Sequence, residues 1–92
     1  MNDSLEQVKD LIESNKLDEA QQLIHKSLDL DSSAEALYFY LGQIYYRQQK
    51  WGEAINAYHK VLELNPDHKE AQSNIEMAKN ILGYFTPDMF NP

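Results

Sequence analysis

Cysteine is absent from the 92 residues, so there is no disulfide staple, thiolate metal site or cysteine nucleophile. Glycine and proline number only three each, with no Gly/Ser linker and no low-complexity tract. The glycines stand apart at Gly42, Gly52 and Gly83, which rules out a phosphate-cradling glycine-rich loop. Basic residues are scarce, eight against fifteen acids for a net charge of −7, and no basic stripe exists for a phosphate backbone or an anionic bilayer. Nucleic acid and membrane are therefore excluded as expected partners. No apolar run approaches the roughly 20 residues that span a bilayer. The start, Met1-Asn2-Asp3-Ser4, lacks the basic-then-apolar layout of a signal peptide. A cytoplasmic protein is the expectation.

Catalytic signatures are missing too. His25, His59 and His68 are the only candidates for acid–base work near neutral pH. The first two precede a lysine and lie off the apolar stripe, where a solvent-exposed role is expected. His68, in Asp67-His68-Lys69-Glu70, reads as the polar start of a helix. The chain has no His-Glu-x-x-His, no paired-histidine ligand spacing and no Gly-x-Ser-x-Gly elbow. The expectation is a protein that is not an enzyme and takes no cofactor and no metal.

What the chain does have is a period of 34 residues. Lys16-Leu17-Asp18-Glu19-Ala20 returns as Lys50-Trp51-Gly52-Glu53-Ala54, and His25-Lys26-Ser27-Leu28-Asp29-Leu30 as His59-Lys60-Val61-Leu62-Glu63-Leu64. A fixed repeat of that size marks stacked units, each burying an apolar face on the next. Helical spacing dominates inside it. Leu5, Val8, Leu11 and Ile12 share a face in a first helix, which Asp3 or Ser4 can cap and Asn15-Lys16 breaks. A second helix buries Leu17, Ala20, Leu23, Ile24, Leu28 and Leu30. Asp31-Ser32-Ser33 makes a turn whose hydroxyls can cap a third helix through Leu37, Tyr38, Leu41, Ile44 and Tyr45. Gln48-Gln49-Lys50 leads to a fourth, carrying Trp51, Ala54, Ile55, Tyr58, Val61 and Leu62. Asn65-Pro66-Asp67 stops that helix, since proline lacks a backbone donor and disfavours helix in the residue before it. A fifth helix runs from about His68 to Leu82, with Gly83 able to end it in a left-handed cap.

The segment Tyr38-x2-Leu41-Gly42-x2-Tyr45, then Ala54-x3-Tyr58, then Pro66, resembles the tetratricopeptide repeat (TPR) signature, with Tyr38 where tryptophan is usual. The expected fold is all-α, a TPR-like α-α superhelix in a single domain. It comprises a degenerate repeat (1–34), a well-matched repeat (35–68), a capping helix (69–83) and an aromatic tail (84–92). In the first unit Ser4, Gln7, Val8 and Ser32 depart from the signature, as terminal repeats often do. The whole chain is also similar to small bacterial TPR proteins that end in an aromatic, proline-containing tail, which suggests that residues 1–92 form a complete protein.

The resemblance implies a non-catalytic protein–protein interaction module whose first helices line a concave groove for a peptide or protein partner. Carried over, the groove comprises Leu5, Lys9 and Ile12, then Phe39, Gln43, Tyr46 and Arg47, then Met77 with Ser73 and Asn80 beside it. Phe39, Gln43 and Tyr46 lie off the stripe Tyr38, Leu41, Gly42, Tyr45 that faces the partner helix. They either face the groove or pack on the flanking first helices. Leu5 and Phe39 occupy places where a carboxylate clamp wants polar groups, so aromatic contact is expected, with Arg47 as an anion handle. Tyr84, Phe85, Met89 and Phe90 crowd the tail. Leaving such side chains exposed forfeits roughly 1.5–3 kcal/mol each. The tail is a lid on helices four and five, a contact in a homodimer, or a site for a foreign partner. A self-associating structural unit, joined through the tail and Phe39/Tyr46, is the alternative function.

Overall fold

The computed structural model describes residues 2–85. Five helices follow one another along these residues: α1 (Asn2–Glu13), α2 (Leu17–Leu30), α3 (Glu35–Arg47), α4 (Trp51–Leu64) and α5 (Lys69–Phe85). Among the described residues there is no strand. The all-α, TPR-like helical architecture is as expected.

The 34-residue period is written into the joints more faithfully than into the side chains. Just past the end of α1 stands Asn15 at φ 60°, and just past α3 stands Gln49 at φ 62°. At the first exit Asn15 N–H donates to the Ile12 carbonyl (2.9 Å) and Lys16 N–H to that of Leu11 (2.8 Å). At the second, Gln49 donates to Tyr46 (3.0 Å) and Lys50 to Tyr45 (2.9 Å). Both are Schellman ends, which consume the last carbonyls of the helix and need one left-handed residue.

The turns between pairs also recur. Ser33 N–H donates to Asp31 Oδ1 (3.1 Å) after α2, and Asp67 N–H to Asn65 Oδ1 (3.3 Å) after α4. A short polar side chain that bonds the backbone two residues on makes the turn by itself. The Ser33 hydroxyl, with its N–H, therefore serves Asp31 and holds that carboxyl below its ordinary pKa. Neither Ser32 nor Ser33 caps α3: the cap position is Ala34, with no side-chain hydrogen bond.

Two apolar cores result. Val8, Ile12, Ala20, Ile24, Leu37, Leu41, Ile44 and Ala57 form one. Ala54, Ile55, Tyr58, Val61, Ala71, Ile75 and Ala78 form the other. Helix α3 is their common wall. It turns Leu37, Leu41 and Ile44 to the first core and Tyr38, Phe39 and Tyr46 to the second, with Tyr45 touching both. A helix enclosed on two sides must be apolar over most of its circumference. Gly42 sets its distance from α4. A β-carbon there would lie 2.5 Å from Tyr58 Cε1, closer than any real contact allows.

Several details differ from the sequence reading. Asp3 and Ser4 lie inside α1, which begins at Asn2, and do not precede it as caps. Leu30 is 86 % exposed, because α2 ends there and its side chain projects past the first core. Gly83 does not end α5. It has no positive φ, and the helix continues to Phe85, taking Tyr84 and Phe85 out of the supposed tail. Met89 and Phe90 lie outside the described residues, and with them the expectations of a lid or a tail-mediated contact. Glu70, Ser73, Glu76 and Lys79 are exposed along α5.

Candidate groove between the first helices

Four of the residues assigned to the groove meet in one place. Gln43, Tyr46 and Arg47 of α3 and Met77 of α5 line a cavity of about 230 Å³, together with Tyr58 and Asn74. The first three fall within one turn of α3, and Asn74 and Met77 lie one turn apart on α5, so each helix presents a single face. Tyr58 enters from the second helix of the pair. Its ring slides past Gly42, and its hydroxyl is within hydrogen-bonding reach of Asn74. Burial pushes the Tyr58 phenol up to about 12, while the Asn74 bond acts in the opposite direction. The cavity therefore combines an apolar edge (Met77, Tyr46) with two carboxamides and a guanidinium. Carboxamides both donate and accept, as a peptide backbone requires, and the guanidinium can only donate.

Arg47 has a structural partner as well. Its Nη1 donates to the Ile12 carbonyl at the end of α1 (2.9 Å), which ties the first helices of the two repeats together and places positive charge at the negative end of α1. Tyr46 makes an edge-on contact with Trp51, ring centroids 4.9 Å apart at 83°. That contact fixes its ring while leaving it partly exposed.

The other groove candidates lie elsewhere. Ile12 is 3 % exposed inside the first core and offers no side-chain surface. Its place on the Leu5, Val8, Leu11, Ile12 stripe prevails over its groove assignment. Phe39 packs against Tyr58 (5.7 Å) and the His68 ring (4.9 Å), so it joins the start of α5 to α3 and does not line the cavity. Leu5 lines a different cavity, at the other end of α1 and α3. Lys9 is exposed on α1 and lines neither. Asn74 and Tyr58 were missed as groove residues. Asn74 could have been found from its spacing of three to Met77, whereas Tyr58 reads only as a filler of the seam.

His68 is more than a polar helix start. Ala71 N–H, in the first turn of α5, donates to His68 Nδ1 (3.1 Å), so the imidazole caps the helix. Its Nε2 faces Glu35 Oε2 at 3.8 Å, and Glu35 also accepts from Asn65 Nδ2 (3.1 Å). The histidine thus holds α5 onto the start of α3. Among the described residues no three histidines or carboxylates gather as a metal would require. None of the described helices is long and apolar enough to cross a membrane.

Residues 35–68 match the family model of the tetratricopeptide repeat. The chain therefore carries one tetratricopeptide repeat there. Those bounds run from the first residue of α3 to the cap of α5, one complete helix pair with its closing turn. The chain is also similar to the tetratricopeptide repeat-containing protein trd-1 of Caenorhabditis elegans, 29 % identical over 68 residues. The aligned part is 74 % of this chain but only 9 % of that relative's length. TPRs are in general modules for protein–protein interaction.

Proposed function

We propose that this protein is a non-catalytic TPR interaction module that holds an extended peptide segment of a partner protein in the groove between α3 and α5. One observation carries the reading: Gln43, Tyr46, Arg47 and Met77 converge with Asn74 and Tyr58 on one cavity on the side of the first helices. Gln43 and Asn74 would pair with the peptide backbone, Met77 and Tyr46 would cover an apolar side chain, and the free face of Arg47 would meet an acidic group. Lys9, one repeat before Gln43 in register, would extend the same line onto α1.

The test is to select binding peptides from a random display library on the native protein and remeasure them against Gln43→Arg and Met77→Arg. Both positions are at the cavity edge, and Met77 is 47 % exposed, so neither change should unfold the chain. The expected result is a loss of about tenfold or more in affinity with an unchanged melting temperature. Selected peptides that bind both variants as tightly as the native protein would refute the groove.

A further inference from the structure

A second cavity lies outside the groove. It has a volume of about 630 Å³ and is lined by Ser4 and Leu5 of α1, Ser27 and Leu30 of α2, Asp31, and Ala34 to Leu37 at the start of α3. Its origin becomes visible when four of the lining residues are moved 34 positions on. Ser4 becomes Tyr38, Leu5 becomes Phe39, Ser27 becomes Val61 and Ala34 becomes His68. In the second repeat these larger side chains pack together. Phe39 stacks on His68 with ring centroids 4.9 Å apart, and Tyr38 donates its hydroxyl to the Ser32 carbonyl (2.8 Å). Helix ends and joint geometry repeat at nearly the same interval, but the helices of the first repeat pack less closely on one another than those of the second. The first repeat therefore keeps the joints of the second, carries Ser4, Leu5 and Ala34 where that repeat has Tyr38, Phe39 and His68, and leaves the space between its helices open.

What fits is indicated by what fills the equivalent place. Aromatic rings bury a large apolar area in a frame of this kind. The rim has a definite sign. Of the nine lining residues two are acidic, Asp31 and Glu35, and none is basic. The surrounding residues 1–31 hold eight acids against three lysines. In the second repeat a cation also attends the cluster, with Lys60 Nζ 6.0 Å from the centroid of Tyr38. We infer that this cavity is a second docking site, taking an aromatic side chain flanked by lysine or arginine on a peptide segment of a partner protein. The site is independent of the groove reading.

A fluorescein-labelled synthetic peptide with a central Phe-Tyr pair between lysines serves as probe. Its anisotropy is read against the full chain at low and moderate salt. The expected result is saturable binding that weakens with salt, and that is lost when serine replaces the aromatics or glutamate the lysines. Leu5→Phe with Ala34→His rebuilds the second repeat's filling and should weaken binding about tenfold or more. Ser27→Val, which installs the residue of the second repeat with little added bulk, should act in the same direction and covers the case in which the double variant does not fold. Asp31→Asn keeps the turn, as Asn65 does, and should weaken binding several-fold with a shallower salt dependence.

Any of four results overturns the inference. One is no saturation with the lysine-flanked probe, and another is equal binding by the filled variants. A third is loss of binding in Met77→Arg, which would move the probe to the groove. The fourth is that probe binding appears only after removal of residues 1–3 or 86–92, or after dissociation of a dimer seen by light scattering, which would make this chain itself the occupant.

Discussion

Gly42→Ala probes the close approach of α3 to α4. The added carbon would meet Tyr58 Cε1, Cδ1 and Cζ at 2.5, 2.7 and 2.8 Å. The ring cannot step aside. Tyr58 is 1 % exposed, and Phe39 stands 5.7 Å away on one side. Overpacking of this kind costs typically 1–3 kcal/mol, and three ring atoms against one carbon point to about 3. Alanine in place of glycine inside a helix returns about 1 kcal/mol. The expected net loss is about 2 kcal/mol, or a melting temperature lower by roughly 8–16 °C for a chain of this size. Thermal and urea unfolding followed by helical circular dichroism would measure it. Gly52→Ala is the internal control, because a β-carbon there meets nothing within 4 Å. That variant should be at least as stable as the native chain. A cycle with Tyr58→Leu separates packing from propensity: once the ring is gone, Gly42→Ala should become neutral or stabilising. A Gly42→Ala chain that melts at or above the native temperature would refute the pinned ring and with it the seating of α3 on α4.

Gln49→Gly should stabilise the protein by about 1 kcal/mol in urea unfolding, since Gln49 holds φ 62°, a conformation that costs residues with a β-carbon roughly 1–2 kcal/mol. His68→Ala removes the α5 cap and the ring on Phe39, and should cost about 1–2 kcal/mol by the same measurement. At alkaline pH the sign follows from Tyr58. Its phenol is raised from 10 to about 12, so the folded state keeps a proton that the unfolded chain releases. Its stabilising contribution is complete below pH 10 and is lost as pH rises toward 12, so the urea midpoint should fall over that window and fall less in Tyr58→Phe.

Much of this fold could be read from the chain because the decisive residues have local causes. The return of Lys16–Ala20 at Lys50–Ala54 placed α2 and α4, and Asn65-Pro66-Asp67 marked where α4 gives way to α5. Gly42, a fixed position of the repeat signature, falls at the close crossing of α3 on α4. Ends governed by competition between terms were harder. Gly83 permits a stop but does not impose one, and nothing after it outweighed continuing the helix to Phe85. Leu30 follows the apolar spacing of α2, yet it projects past the first core and stays exposed at the edge of an open cavity. On the candidate groove, spacing put Gln43, Tyr46, Arg47 and Met77 on faces that meet at one cavity but could not separate Phe39 from them. Its partner His68 is 29 positions away, and only the docked start of α5 brings the two rings together. Ile12 shows the reverse limit, a residue eligible for two faces and claimed by the one with more apolar neighbours.

The recurring joints carry a consequence for how such a chain can grow. A duplicate of residues 35–68 spliced after His68 would begin with the residues that follow an Asx turn and finish with the residues α5 already accepts as its neighbour. Neither seam would ask the backbone for a new conformation. Length is thus a free variable of this architecture, and a longer sibling would differ in span and in the number of grooves, with every corner already solved.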